Sequence, residues 1–521
     1  MNDNKKYKKY SNKYKYSKSK KISYHYYNNN KKQDETKKLL KKSHYQKKSN
    51  FHNNIFSAFI DSIQNKKEIY LEFSFAFKFY IVLFLLFTFL FLSLLCKINS
   101  TNDGEQSSKI KNIDLKKDFK LKDLIKVGYF CESIKYGGVE RVISLLLNYL
   151  SKEKYFSHYL ITKKGILQDE YPIPDNIKRI SLLDQNITLF DAIENEHIDI
   201  LIYNFYENPE IEKLNELKKT KVIYYNHSSF LLWIYQKLFT FEYTVYQKYK
   251  ECKYVISLIP VENDYLFKKW GINSILMDNP TTFEYDSVIP SDLSNKNIIM
   301  IGRAEDPIKR YDLGIKAMRN ILKEMPECEM NIISSPNDKL ERLINIFKLG
   351  NKVKFVGFHK NVEIYLKNSS LHILPSLSET YPMILGETKI FGIPTIICGL
   401  DYLALAKGGT IMIYDDNPDT IAKEAINILK NETYRKQLGK EARESMKIHK
   451  NKLIAEKWVN LLLSVYKGDD ESYKNLNSHN IMTEEEANII LENQLNLLKK
   501  RKPRFRRVTL ENFKFFNLKN K

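Results

Sequence analysis

The sequence predicts an α/β protein in which two tandem domains, each a parallel sheet covered by helices, follow a polar tail and one membrane-spanning helix. Three observations carry this. Short apolar runs recur from Ile125 onward, separated by helical or polar stretches, which is the βαβ rhythm of a sheet covered on both faces. The rhythm restarts at Asn297 after a polar interval. Ahead of both, eighteen consecutive residues from Phe79 to Cys96 carry no charge and are almost all apolar.

The elements follow in chain order. Residues 1–74 hold +13 of the formal +22 charge and contain no arginine. Their Lys, Asn, Tyr and Ser include too few aliphatic groups to offset the entropy of ordering, so they predict a disordered, solvated tail with no specific nucleic-acid partner. Residues 75–98 approach the ~20 residues needed to cross a hydrocarbon core and lie too deep for a cleaved signal peptide, which predicts a single-pass membrane anchor. The basic tail favours a cytoplasmic N-terminus, but near the span Lys66, Lys67 and Lys78 stand against Lys97, Lys109, Lys111 and Lys116, which weakens that preference and leaves the side open. Sequons at Asn99, Asn186, Asn226, Asn368 and Asn431 add little in a chain so rich in Asn. Residues 99–121 read as a linker.

Residues 122–288 form the predicted first domain. "IKVGYFC" is its opening strand, and "GGVERVISLLLNYL" a helix with Val139, Val142, Ile143, Leu146, Leu147 and Leu150 on one face. "HYLIT", "IDILIYN", "KVIYYN" and "YVISLI" continue the sheet. The second domain, 289–450, opens on "NIIMIG" and a helix within "YDLGIKAMRNILKEM", then "MNIISS", "VKFVGF", "LHILPS" and "PTIICG". A helix at 451–468 and a basic extension at 469–521 complete the chain; the run "KKRKPRFRR" at 499–507 reads as a solvated tail. Cys96, Cys131, Cys252, Cys328 and Cys398 lie far apart, without a CxxC pair or a Cys/His cluster. That spacing points to core thiols rather than a zinc site or disulfide framework, and no metal is expected.

Ligands of parallel sheets gather at the C-terminal strand ends. After "LHIL", Thr380 is placed to cap a helix beginning at Met383, with Pro382 in its first turn. Free amides and the positive helix end suit an anion such as phosphate. Glu379 stands just outside that helix and Glu387 one turn inside, and each can accept hydrogen bonds from hydroxyls. In "GRAEDPIKR", the forked guanidinium of Arg303 and the ammonium of Lys309 suit a diphosphate, while Glu305 and Asp306 read as surface charges. Gly137 and Gly138 in "KYGGVER" permit close backbone approach. His227 in "YYNHSS" reads as a capping or core histidine on its own. A diphosphate cradle, hydroxyl acceptors and a facing domain together describe a nucleotide-sugar site.

"PSLSETYPMILGETKIFGIPTI" resembles the E-x7-E region of family 4 retaining glycosyltransferases, which have the GT-B fold of two Rossmann-like domains around a cleft. "IGRAEDPIKRYDLGIKAM" resembles that family's Gly-Arg…Lys segment, "VGYFCESIKYGGVERVISLLLNYL" its opening strand, glycine loop and helix, and "GFHKNVEIYLKNSSLHILPS" the approach to its first glutamate. The resemblance spans about residues 122–466. It implies that Glu379 contacts the transferred sugar, that Glu387 contacts the ribose, and that Arg303 and Lys309 hold the diphosphate in place of a metal ion. Gly137 and Gly138 would let the first domain close over the phosphates, and His227 falls where many members carry a histidine near the reacting sugar. Gly357 and Phe358 would line the base pocket, and Thr380, Tyr381, Pro382 and Met383 the anion site. "NKLIAEKWVNLLLSVY" resembles the helix that crosses back to the first domain. Two positions depart from the pattern: Arg310 stands where glycine is common, and Thr388 where alanine is usual.

The expected function is therefore transfer of a sugar from a UDP- or GDP-linked donor to a glycan, lipid-linked or protein-linked acceptor at a membrane, with the donor as co-substrate and no cofactor. The rivals are a nucleotide-sugar epimerase of the same fold, which would not need the anchor, and a non-catalytic membrane adaptor.

Overall fold

The computed structural model describes residues 124–501 apart from 136, 168–169, 205–210, 229–248, 250–251 and 477–481. The expected tail, the apolar stretch 75–98 and the linker lie outside the described residues, as does the chain after 501. No helix among the described residues is long and apolar enough to cross a membrane.

Two wholly parallel sheets form the body. The first has seven strands in the order β3-β2-β1-β4-β5-β6-β7, and the second has six in the order β10-β9-β8-β11-β12-β13. The first comprises β1 (Ile125–Cys131), β2 (Phe156–Thr162), β3 (Lys178–Ser181), β4 (Ile200–Tyr203), β5 (Lys221–Tyr225), β6 (Tyr254–Ser257) and β7 (Ser274–Leu276). The second comprises β8 (Asn297–Ile301), β9 (Glu329–Ile333), β10 (Val353–Phe355), β11 (Leu371–Leu374), β12 (Thr395–Cys398) and β13 (Thr410–Ile413). The strands are short continuous apolar runs because helices cover both faces; β4, β6, β11 and β12 are buried at every residue.

Each domain starts in the interior of its sheet. β1 pairs with both β2 and β4, and β8 with both β9 and β11. The chain fills one side and then crosses to the other, so connections diverge above β1/β4 and above β8/β11. A crevice opens at each such point, outside the carboxyl ends of the strands.

The helix Gly138–Leu150 buries Val142, Ile143, Leu146, Leu147 and Leu150 against the first sheet. One apolar cluster runs from this core through Trp458 of the helix Asn451–Lys467 to Tyr381, Met383 and Leu385 of the second domain. The sheet of the second domain has its own core around Ile298, Met300, Ile321 and Ile396. The helix Asn451–Lys467 returns to the first domain, where Lys221 Nζ donates to the carbonyls of Val465 at 2.8 Å and Tyr466 at 2.6 Å, satisfying groups left open at a helix end. Trp458 is wholly buried edge-on to Tyr225. Cys131, Cys252, Cys328 and Cys398 are buried thiols.

The run 499–507, expected as a solvated tail, is described only as far as Arg501, and the extension holds two helices. The helix Asp470–Asn475 lies on the first domain, where Tyr473 Oη donates to the Asn273 carbonyl at 3.1 Å. The helix Glu484–Arg501 folds back and buries Ala487, Leu491, Leu495 and Leu498, and the first basic residues of the run at 499–507 belong to its last turn. These four apolar residues recur every third or fourth position and form one face. The dense charge around them disguised that face in the sequence.

Candidate active site in the interdomain cleft

The loop after β8 is built by Asp306, whose Oδ1 accepts from Ile308 N at 2.9 Å and starts the 3₁₀ turn Pro307–Lys309. Asp306 is thus a cap rather than a plain surface charge. The turn aims Lys309 at the neighbouring loop, where its Nζ lies 2.7 Å from Glu379 Oε1. Arg310 then takes a left-handed φ of 51°, the conformation that glycine adopts most readily, before the helix Tyr311–Glu324. Arg303 is 65 % exposed and meets Asp306 at 3.5 Å. Burial pushes the carboxyl of Glu140, from the first domain, above its usual range, and the charge of Arg303 pulls it back.

The loop after β11 is tied to the first loop by Leu377 N, which donates to the Ile308 carbonyl at 2.7 Å. Tyr402 grips the backbone of Glu379 from below: its hydroxyl accepts from Glu379 N at 3.1 Å and donates to Glu379 O at 3.0 Å. The helix Met383–Ile390 begins with Pro382 as its N-cap and no side-chain cap. Thr380 therefore does not cap it, and Pro382 stands one position earlier than expected. The Pro382 carbonyl, in extended backbone, already accepts from Leu385 N at 2.9 Å and closes the first turn. The uncapped start leaves backbone amides open toward an anion. Tyr381 and Met383 are buried beneath it, and burial pushes the Tyr381 phenol well above its usual range.

Glu387 is completely buried, with Oε1 at 2.6 Å from Arg141 Nη2. Its other oxygen, Oε2, has no hydrogen-bond partner. Arg141 comes from the first turns of the helix Gly138–Leu150 and also donates to Thr282 Oγ1, so the first domain reaches the second domain's carboxylate directly. Gly137 caps that helix, and a side chain there would collide with the Glu140 carboxylate, whereas the space around Gly138 is open.

His227 follows β5 in the first domain. Its Nε2 lies 2.9 Å from Asn204 Oδ1, and its ring centroid 4.0 Å from that of Tyr225. Asn204 Nδ2 donates to the Phe130 carbonyl at 3.0 Å, which turns Oδ1 toward the histidine and places the imidazole proton on Nε2. Burial pushes the His227 pKa down to about 3, so the ring is neutral at physiological pH. Gly357, at a left-handed φ of 85°, and the exposed Phe358 follow β10, two strands from β8.

The structure thus joins Lys309 to Glu379 and Glu387 to Arg141 of the first domain, with Arg303 exposed beside Asp306, His227 on the first domain, and Gly357 and Phe358 after β10. Sequence reasoning missed Arg141, Tyr402 and Asn204. Arg141 carried a signal: it is the first arginine of the chain and lies three residues past Gly138. Tyr402 and Asn204 carried none, because their partners are distant in sequence.

Two parallel-sheet domains, a returning helix and charged loops over the β8/β11 crevice define the GT-B architecture. Residues 282–445 match the family described as Glycosyl transferases group 1. An uncharacterized glycosyltransferase of Haemophilus influenzae is 23 % identical over 218 residues, 40 % of this chain, and the match spans 61 % of that relative's own length. The "GalNAc-alpha-(1->4)-GalNAc-alpha-(1->3)-diNAcBac-PP-undecaprenol alpha-1,4-N-acetyl-D-galactosaminyltransferase" of Campylobacter jejuni is 23 % identical over 365 residues, 66 % of this chain and 99 % of the relative. Among solved structures, a sucrose-phosphate synthase from Thermosynechococcus elongatus superposes with a TM-score of 0.55 at 16 % identity, covering 66 % of this chain and all of that one. Anabaena HepE in complex with UDP and glucose gives 0.54 at 14 %, covering 65 % of this chain and all of that one.

Proposed function

We propose that the protein is a membrane-anchored glycosyltransferase that moves a sugar from a nucleotide-diphosphate sugar, UDP- or GDP-linked, to a glycan, lipid-linked or protein-linked acceptor with retention of configuration. The observation that carries this reading is the buried Glu387, one oxygen held by Arg141 and the other unpartnered, eight residues after a Glu379 already paired with Lys309. A buried acceptor without a partner is costly and marks a place where a ligand donor fits. A ribose hydroxyl supplies one to Glu387, and a sugar hydroxyl to Glu379. The relatives add support: one matched structure holds UDP and glucose, and the name of the Campylobacter relative includes a polyprenyl diphosphate.

In this reading the diphosphate lies over the uncapped start of the helix Met383–Ile390, with Lys309 and Arg303 beside it. Those cations and the helix end stabilise charge as the diphosphate departs, with no metal or cofactor required and no enzyme carboxylate acting as nucleophile. His227 is neutral and serves as a hydrogen-bonding group near the reacting sugar rather than as a cation. Residues 75–98 hold the catalytic domains at the membrane.

The test is nucleotide release by the full chain in detergent from a panel of UDP- and GDP-sugars, with Glu379→Ala and Arg303→Ala beside it. Release from one donor, abolished by Glu379→Ala and weakened by Arg303→Ala, supports the reading. Absence of release together with no thermal stabilisation by UDP or GDP overturns it in favour of an adaptor, and interconversion of the sugar without release favours an epimerase.

A further inference from the structure

We propose that the C-terminal helix Glu484–Arg501 is a positioning element of the donor site: it braces the two charged loops from behind, and Arg501 is its keystone residue. The inference rests on the donor-site reading of Lys309 and Glu379. The helix lies beyond the matched stretch 282–445.

Three connections run from this helix to Glu379. The first is ionic. Arg501 grips Asp416 with a two-pronged fork, Nε to Oδ2 and Nη2 to Oδ1, both at 2.7 Å. Asp416 Oδ1 also takes Arg310 Nη1 at 2.7 Å, and Arg310 directly follows the Lys309 that contacts Glu379. The second passes through backbone: Arg501 Nη1 donates to the Leu377 carbonyl at 3.3 Å, two residues before Glu379. The third passes through Asp401, whose carboxylate accepts from Asn493 Nδ2 at 2.9 Å and from Gln494 Nε2 at 2.7 Å. Asp401 directly precedes Tyr402, the residue that grips the Glu379 backbone.

Exposed ion pairs hold little in place, but this one is neither exposed nor single-pronged. The Arg501 side chain is 8 % exposed, and a bidentate guanidinium–carboxylate pair fixes orientation as well as distance. Against the cost of burial, the guanidinium groups of Arg501 and Arg310 hold the Asp416 pKa down near 2. Backbone geometry is an independent observation. Arg310 and Asp416 both hold left-handed φ values, 51° and 50°, which non-glycine residues keep only where surrounding contacts over-determine them. Fit is a further one: at Gly399, left-handed at 65°, any side chain would run into Leu497 of the same helix, while the Gly399 carbonyl accepts from Gln494 at 2.8 Å. The departure at position 310 then has a physical reason. A glycine would satisfy the backbone, whereas arginine adds the link to Asp416.

The test measures hydrogen exchange of the full chain at 303–310 and 376–382, together with donor KM and kcat. The variants are Arg501→Gln, Arg501→Lys and Arg310→Gly, the last of which removes a side chain without straining the left-handed backbone. Faster exchange confined to the two loops is expected in Arg501→Gln and Arg310→Gly, partly reversed in Arg501→Lys. Donor KM should rise on the order of 10-fold or more, the scale of a small misplacement of binding groups, with kcat changing less. Unchanged exchange at 303–310 and 376–382 in Arg501→Gln overturns the proposal, as does an unmoved donor KM in an active Arg501→Gln protein. If Arg501→Gln loosens the whole domain, Arg501→Lys, which keeps the charge without the fork, decides by the same readouts. If the wild type neither releases nucleotide nor binds UDP or GDP, the donor-site reading fails, and the exchange data still decide whether the helix braces the loops.

Discussion

The two faces of the cleft are built on different principles. On the second domain, Lys309, Glu379, Arg310 and Asp416 form ion pairs at or below 2.7 Å that lock one loop to another. On the first domain, His227, Asn204 and the Phe130 carbonyl form a chain of uncharged hydrogen bonds, while Glu140 and Arg141 stand on a single helix. A face that grips a diphosphate needs fixed cations, which must be paired when the ligand is away. In the proposed reading, the uncharged chain on the first domain would hold a sugar by hydrogen bonds rather than by charge. Arg141 is the exception that joins the two, since it neutralises Glu387 from across the cleft.

The comparison is most exposed to changes in the donor pair. Lys309→Ala should lower nucleotide release by on the order of 10²-fold or more, the cost of removing one preorganised group aimed at developing charge. An equal loss on His227→Ala would erase the distinction between the faces. Arg141→Ala comes next. It strands a fully buried carboxylate, and breaking such a pair costs about 3–5 kcal/mol, read as a lowered denaturation midpoint. Glu387→Gln combined with Arg141→Ala should recover part of that loss, because no buried charge remains.

The buried histidines of both domains predict a pH effect with a definite sign. Burial lowers the pKa of His227 and His372 to about 3 and that of His158 to about 4. Unfolded histidines take up protons below about pH 6.5 while these do not, so stability should fall as pH drops from 6.5 toward 4. Thermal melts across that range check it, and His227→Gln should make the fall shallower. A slope unchanged by His227→Gln would show that the ring is not held neutral. The smallest effect belongs to Thr388→Ala. The hydroxyl donates to Leu385 O at 3.0 Å and sits 3.4 Å from His372 Nδ1. Its removal should cost about 1 kcal/mol and leave donor KM unchanged.

Much of the geometry of the proposed donor face was legible in the sequence because its parts are local. The strand ends, the glutamate spacing and the Arg303–Lys309 loop each fall within a dozen residues, and the strand rhythm places them at one crevice. The supports were not legible. Tyr402 lies 23 residues from Glu379, and Asp416 lies 85 from Arg501, so only tertiary folding brings them together. The cap of the helix Met383–Ile390 was misread because the N-cap position falls on Pro382, which has no side-chain acceptor, two residues after Thr380. The helix Glu484–Arg501 was not legible because its apolar stripe is interleaved with charge. Both departures from the family pattern, Arg310 and Thr388, turned out to have partners within this fold: Asp416 for one and His372 for the other.

In the proposed reading, the β8/β11 crevice binds a nucleoside diphosphate through Lys309 and the residues around Glu387. Calorimetric titration of the full chain in detergent with UDP and with GDP tests it most directly, on wild type and Lys309→Ala. Saturable binding of one nucleotide, weakened at least tenfold in Lys309→Ala, is the predicted result, tenfold being the loss of about 1.4 kcal/mol. Equal binding by the two proteins, or no binding of either nucleotide by well-folded wild type, would contradict the claim.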